Sequence, residues 1–352
     1  MMIYKLWNDI HKIAQHNDNI IIINANIQKN GKPIVEKRPC TCIVLYQALI
    51  ENILNMIFKD FNEPTLSLVF EELAALPFKI VKTNLAFTAL TESGKVVVWG
   101  AYQNGGDNSM VAGQLANGVV EVAASFAAFA AITDSGRVVT WGHAGYGGDS
   151  SRVKWDVACD VVRVVATDGA FAALKKSGRV VTWGRMRDGG DSSQVEGKLQ
   201  SGVIRVVATE SAFAALKESG QVVTWGEAGY GGDSSKVEGK LVSSVVATNG
   251  AFAALTKGGQ VVSWGYHLYG GHSCQVKKDL ESGVVDVVAS QYAFAAIKEG
   301  GRVVTWGLGV GGGDSSGVTE ELASGVVYVV PTSDYIFSAL KTNGKIIKWG
   351  GD

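Results

Sequence analysis

The sequence predicts an all-β protein, a seven-bladed β-propeller preceded by a small N-terminal α+β extension. Three observations carry that prediction. Seven Trp-Gly pairs recur, at Trp99, Trp141, Trp183, Trp225, Trp264, Trp306 and Trp349, in steps of 42, 42, 42, 39, 42 and 43 residues. A Phe stands in matching register ahead of each: Phe87, Phe129, Phe171, Phe213, Phe252, Phe294 and Phe337. A Gly falls between every Phe and its Trp, at Gly94, Gly136, Gly178, Gly220, Gly259, Gly301 and Gly344. A fixed period of about 40 residues built from short strand signals marks a propeller or an array of sheets.

The chain begins with a segment that lacks the repeat. Residues 1–60 are rich in Ile, Asn and Lys, and Ile3, Leu6, Trp7, Ile10 and Ile13 fall at helical spacing. Stretches 19–28 and 33–37 flank Lys29-Asn30-Gly31-Lys32, and Asn-Gly is a strong hairpin signal. Over 43–58, Tyr46, Leu49, Ile50, Ile53, Leu54 and Ile57 make one apolar helix face, with Gln47, Glu51, Asn52 and Asn55 opposite. Such faces ordinarily serve packing, so residues 1–60 are expected to cap the propeller or plug its channel. A partner-docking or catalytic segment is the alternative. The propeller domain is expected over 61–352.

The first copy is degenerate. Val69, Leu73, Phe87 and Trp99 hold register with Val111, Leu115, Phe129 and Trp141, yet Glu63-Pro64-Thr65 replaces Gly-Gly-Asp. The last residues, Gly350-Gly351-Asp352, stand where the next turn would begin. The final segment is therefore expected to abut the first and close the ring.

One unit, 201–226, shows how each copy folds. Residues 203–208 form a β-branched run bounded by turn residues, 212–216 a second apolar run and 222–225 a third. Gly220 supplies the positive φ of a tight hairpin between the last two. Gly-Gly-Asp-Ser-Ser then suits a turn leading into a short edge strand. Runs such as VVAT, AFAAL and VVTW are apolar on both faces, as in sheets covered on both sides. No helical period separates the copies, so neighbouring blades must supply the cover. The small Ala residues fit the crowding near an axis. A solenoid stack is the alternative, but it needs capped ends, whereas seven copies suit a ring.

Units of the type GxVVTWGxxxxGGDSS carrying AFAAL resemble the regulator-of-chromosome-condensation repeat family, whose members are seven-bladed propellers. The resemblance covers roughly 62–352. The repeats here are shorter, and Gly-Gly-Asp-Ser-Ser replaces the family's usual Gly-Gln-Leu-Gly turn. Nucleotide exchange on a nuclear small GTPase therefore does not carry over residue by residue. Similar repeat proteins include effectors that intracellular bacteria deliver into host cells, some acting on small GTPases or on ubiquitin transfer. A compositionally foreign segment ahead of eukaryote-like repeats looks like such a fusion.

Composition bounds the function. A net charge of −1 over 352 residues gives no bulk electrostatic case for nucleic acid or an anionic membrane. Four Cys form no disulfide framework, so a reducing, cytoplasmic setting is expected. No stretch reads as a signal peptide or a membrane span. There is no phosphate-binding Gly-Lys-Ser loop, nucleophile elbow or paired metal-binding Cys motif, and no cofactor is expected. The protein is expected to act as a monomer.

Candidate sites lie where copies agree on a polar residue or break the consensus. Asp107, Asp149, Asp191, Asp233 and Asp314 share one loop position and should ring one face. They would bind a cation or a basic surface, or each would cap its own turn, the reading favoured by Asp chemistry. The constant Trp residues read as packing between blades rather than a ligand cage. In the fifth copy the Asp gives way to Tyr266-His267-Leu268-Tyr269-Gly270-Gly271-His272-Ser273-Cys274. His272 and Cys274 would share a face if extended, a pair able to activate a thiolate or, with His143, to help ligate zinc. Drift in a surface loop accounts for the same residues. Cys40 and Cys42 lie between Lys37-Arg38-Pro39 and a helix start, which would lower a thiol pKa.

The leading expectation is a non-enzymatic scaffold that engages a protein partner through Tyr102, Gln103, Arg185, Met186, Arg187, Tyr266, His267, Leu268 and Tyr269. Aromatic and Arg side chains are the usual interface anchors. The enzymatic alternative is a ubiquitin-protein transferase forming a thioester on Cys40, Cys42 or Cys274, with His272 nearby. A further alternative is a small-GTPase exchange factor.

Overall fold

The computed structural model describes residues 78–351, all within the unit Ala75–Asp352. The extension expected at 1–60, with Cys40, Cys42 and the expected domain boundary, lies outside the described residues, as does the degenerate stretch 62–77. The described residues form a seven-bladed β-propeller: seven three-stranded antiparallel sheets, each with its strands in chain order. Blade 1 comprises β1 (Phe78–Lys82), β2 (Ala86–Thr91) and β3 (Val96–Gly100); blade 2 comprises β4 (Val119–Ala124), β5 (Ala128–Thr133) and β6 (Val138–Gly142). Blades 3 to 7 repeat the pattern over 161–184, 203–226, 242–265, 284–307 and 326–349.

The hairpins form where the repeated Gly predicts them. Between β5 and β6 the Thr133 N–H donates to the Arg137 carbonyl at 2.9 Å across a loop closed by Gly136, φ 75°. Register then sets Phe129 opposite Trp141, and the two rings stack with centroids 5.2 Å apart. The first strand of blades 2 to 7 carries a bulge, as at Val119/Glu121, which blade 1 lacks.

The edge strand expected after Gly-Gly-Asp-Ser-Ser does not form. The Asp side chain draws in the backbone two residues on, and Ser-x-Val closes a 3-10 turn, with Val195 N–H bonding the Ser192 carbonyl at 3.0 Å. The curled connector runs beside the outer strand instead, where Val138 N–H reaches the Val157 carbonyl at 2.9 Å.

The core lies between blades, as two-sided apolar strands require. Ala128, Ala130, Ile132 and Val138 of blade 2 pack on Val164, Phe171, Ala173 and Trp183 of blade 3, with Val157 filling the rim. Each of the six consecutive blade pairs buries such a cluster. The Trp side chains work across these boundaries. In blades 2 to 7 the indole N–H donates to a loop Gly carbonyl of the preceding blade at 2.9–3.1 Å. The acceptor Gly has no substitute: Gly147 holds φ 91°, and a Cβ on it would sit 2.5 Å from Phe171.

The seventh junction differs. The expected abutment of last segment and first is not present among the described residues, where no buried cluster joins blade 7 to blade 1. Ile80 occupies the register of Val122 and Val164, each 4% exposed, but is itself 53% exposed. Ile346 matches Val138, which is 6% exposed, and stands 62% exposed. Among the described residues these two faces of the seam stand open to solvent; residues 62–77, which hold the connector register of the first copy, lie outside them.

Candidate functional site

Strand direction places two sets of turns at one end of every blade: the turn from first to second strand, and the loop after Trp-Gly. In blades 1 to 6 a hydroxyl ties the pair together. Thr83, Ser125, Thr167, Thr209, Thr248 and Ser290 donate to a loop carbonyl 21 residues on, at 2.8–3.0 Å. A belt of main-chain hydrogen bonds crosses the blades at the same end. Asn84 N–H donates to Phe126, Phe126 to Asp168, Asp168 to Glu210, Glu210 to Asn249, Asn249 to Gln291 and Gln291 to Asp334, over 2.7–3.3 Å. Backbone groups make the belt, and of its side chains Asn84, Phe126 and Asp168 are exposed while Glu210, Asn249, Gln291 and Asp334 are half-buried.

Turn residues next to the belt and the neighbouring loops assemble an aromatic strip. Ring centroids step from Tyr230 to Tyr266 at 5.9 Å, Tyr266 to Tyr269 at 5.0 Å, Tyr269 to Tyr292 at 4.9 Å and Tyr292 to Tyr335 at 5.0 Å. On blades 2 and 3, Phe126 stacks on Tyr146, and the Arg185 guanidinium sits 4.1 Å from the Tyr146 ring centroid. Arg185 also pairs with the buried Asp188 at 3.2 Å. Arg187 bridges to Glu227 of the next loop at 2.6 Å.

Charge in this region is only partly compensated. Burial pushes the Glu210 carboxyl above its ordinary value, Asp168 adds repulsion, and the Asn249 amide opposes the shift. Asp168 is raised as well, first by lost hydration and then by Asp188, against the pull of Arg185. Burial raises the Tyr230 and Tyr269 phenols, with Glu210 adding to it. Tyr292 is raised by burial and by its hydrogen bond with Tyr335. The face thus offers ring surfaces and half-desolvated carboxylates, a combination that attracts a guanidinium or ammonium group.

Most sequence-predicted contact residues fall on this end. Tyr102 and Gln103 are exposed on the blade 1 loop, Arg185, Met186 and Arg187 on blade 3, His267 and Leu268 on blade 5. Tyr266 and Tyr269 are half-buried within the strip. His272 and Cys274 are exposed and line a separate cleft of about 540 Å³ with Lys236, Lys240 and Lys277. No hydrogen bond joins His272 to Cys274 among the described residues. His143 is engaged elsewhere, its Nδ1 accepting from Gly145 N–H at 3.1 Å and its ring edge-on to Tyr146. Among the described residues no three His, Cys, Asp or Glu side chains gather to hold a metal ion. The five repeated Asp residues cap their own turns: each accepts a Ser N–H two positions on, at 2.8–2.9 Å. That bond holds the Asp149, Asp191 and Asp314 carboxyls below their ordinary value.

Sequence reasoning missed Phe126, Tyr146, Asp168, Glu210, Tyr230, Tyr292 and Tyr335. A signal for most of them was present. The two residues before each AFAAL-type strand read Asn-Leu, Phe-Ala, Asp-Gly, Glu-Ser, Asn-Gly, Gln-Tyr and Asp-Tyr, different in every copy of a near-identical repeat.

No protein-family model matches the chain, and no curated protein matches it. Among solved structures, it is similar to the ectodomain of the receptor kinase CR4 from Physcomitrella patens, at 15% identity over 77% of this chain and 72% of that one, TM-score 0.44. It is also similar to Prp20p from Saccharomyces cerevisiae, a structure described with its binding to Gsp1p and histones, at 15% identity over 66% and 72%, TM-score 0.42. The ectodomain of the Arabidopsis thaliana receptor kinase ACR4 is similar at 16% identity over 78% and 96%, TM-score 0.41.

Proposed function

We propose that this protein is a non-catalytic interaction scaffold whose loop face engages a partner protein through Arg and Lys side chains. The observation that carries the reading is the aromatic strip from Tyr230 to Tyr335, built by four blades where the repeat breaks its own consensus. Large, stiff rings on a rigid frame are the usual anchors of protein interfaces. Carboxylates on Asp168 and Glu210 lie in the same region, and burial raises both above their ordinary values. The chain's own Arg185 shows how a guanidinium sits there, against a Tyr ring and a carboxylate at once. The exposed Cys274 thiol has no hydrogen-bonded base among the described residues.

Affinity capture from cell lysate with the full chain and with Tyr266→Ala/Tyr269→Ala tests the reading. The double variant should lose the captured partner while keeping its melting temperature within a few degrees, and capture by the parent should weaken with added salt. A partner retained in full by the variant would overturn this assignment of the contact face.

A further inference from the structure

The two sides of the seam are the two halves of an interface this chain already makes six times. On each internal boundary, one blade presents the residues equivalent to Leu340 and Ile346, and the next presents those equivalent to Ile80, Phe87 and Trp99. Blade 7 shows the first set to solvent, with Leu340 and Ile346 exposed. Blade 1 shows the second, with Ile80 exposed and Phe87 half-buried, whereas the other six Phe side chains of this register are 0% exposed. The main-chain belt ends in matching fashion. Among the described residues the Asp334 N–H has no acceptor on a following blade, and the Asn84 carbonyl receives no donor from a preceding one.

We propose that blade 7 of one molecule docks on blade 1 of a second copy of this chain, continuing the stack head to tail. The proposal is independent of the loop face. A second copy offers each surface the strand residues it meets at the internal boundaries, and by the register of the belt its Asn84 carbonyl would take up the Asp334 N–H. The contact is heterologous, using different patches on the two partners, so it propagates into chains or closes into a ring of molecules.

Sedimentation velocity of the full chain over a wide concentration range is the test, with Ile80→Glu and Ile346→Glu as variants and Leu340→Glu as a second lesion on blade 7. These positions are solvent-exposed, and circular dichroism verifies that each variant stays folded. The parent should associate with concentration. Each single variant should associate more than about a hundredfold more weakly, because burying an unpaired charge is costly. An equimolar mixture of Ile80→Glu and Ile346→Glu should yield dimers and stop there, since each retains the one good face the other lacks. A parent that stays monomeric at every concentration, whether its own ends meet or residues 1–77 cover them, overturns the proposal. So does assembly that survives both single variants, or a mixture that gives no dimer.

Discussion

Two carboxylates in this molecule respond to pH in opposite senses. Asp191 accepts the Ser193 N–H at 2.9 Å, which holds its carboxyl below the ordinary value of 3.8. The resulting stabilisation is complete above that value and is lost as pH falls through the lower folded one. Asp191→Ala should therefore cost on the order of 1 kcal/mol or less near neutrality, as for other exposed turn caps. In thermal melts, the deficit should shrink as the pH drops below 3.8. Glu210 behaves inversely. Its folded value is raised above 4.5, so below that value it is protonated in both states, and its penalty grows as pH rises through the folded value. Glu210→Gln should raise the neutral-pH melting temperature by roughly 1–3 °C, after allowance for solvent screening. Below pH 4.5 the advantage should vanish. The same change should weaken partner capture, which is how a side chain kept for binding at the expense of stability behaves.

At the level of strands and turns, the loop Gly residues are the tightest joints. Gly147→Ala forces a side chain into φ 91° and against Phe171, and should cost about 2–4 kcal/mol in chemical denaturation. Gly113→Ala, with no atom within 4 Å of the added Cβ, is the matched control and should stay within about 0.5 kcal/mol. Strands and hairpins were legible in sequence because each copy repeats the same local instruction: a β-branched run, AFAAL, a positive-φ Gly, and VVTW. The connector was misread because Gly-Gly-Asp-Ser-Ser specifies only a turn, and the Asp to Ser bond curls the chain away from strand geometry. The aromatic strip escaped notice for another reason. Tyr269 and Tyr292 touch, yet they sit in different blades and different turns, and only the assembled propeller brings those turns together.

Seven blades were countable from the repeat alone; the open faces at the seam were not, although Glu63-Pro64-Thr65 in place of Gly-Gly-Asp marked that junction as unlike the others. The seam has a measurable signature. Blades 1 and 7 each have one filled boundary among the described residues, while blades 2 to 6 have two. Amide exchange should be slowest in strands such as Ala170–Lys175 and fastest in blades 1 and 7. Deleting residues 345–352 should lower stability sharply, for a local reason. It removes the outer strand Ile346–Trp349, the Phe337–Trp349 stack and the indole bond to Gly312, opening the blade 6 boundary. Melts of this truncation, with exchange read on blade 6, check the assignment. The belt carries a consequence of its own. Peptide groups fasten Asn84, Phe126, Asp168, Glu210, Asn249, Gln291 and Asp334 to one another, with side-chain bonds added where Asn249 meets Gln291 and Glu210, so the belt itself requires none of these identities. Seven adjacent places are thereby released from architectural duty, and substitution there can rewrite what the surface recognises while leaving the framework beneath untouched.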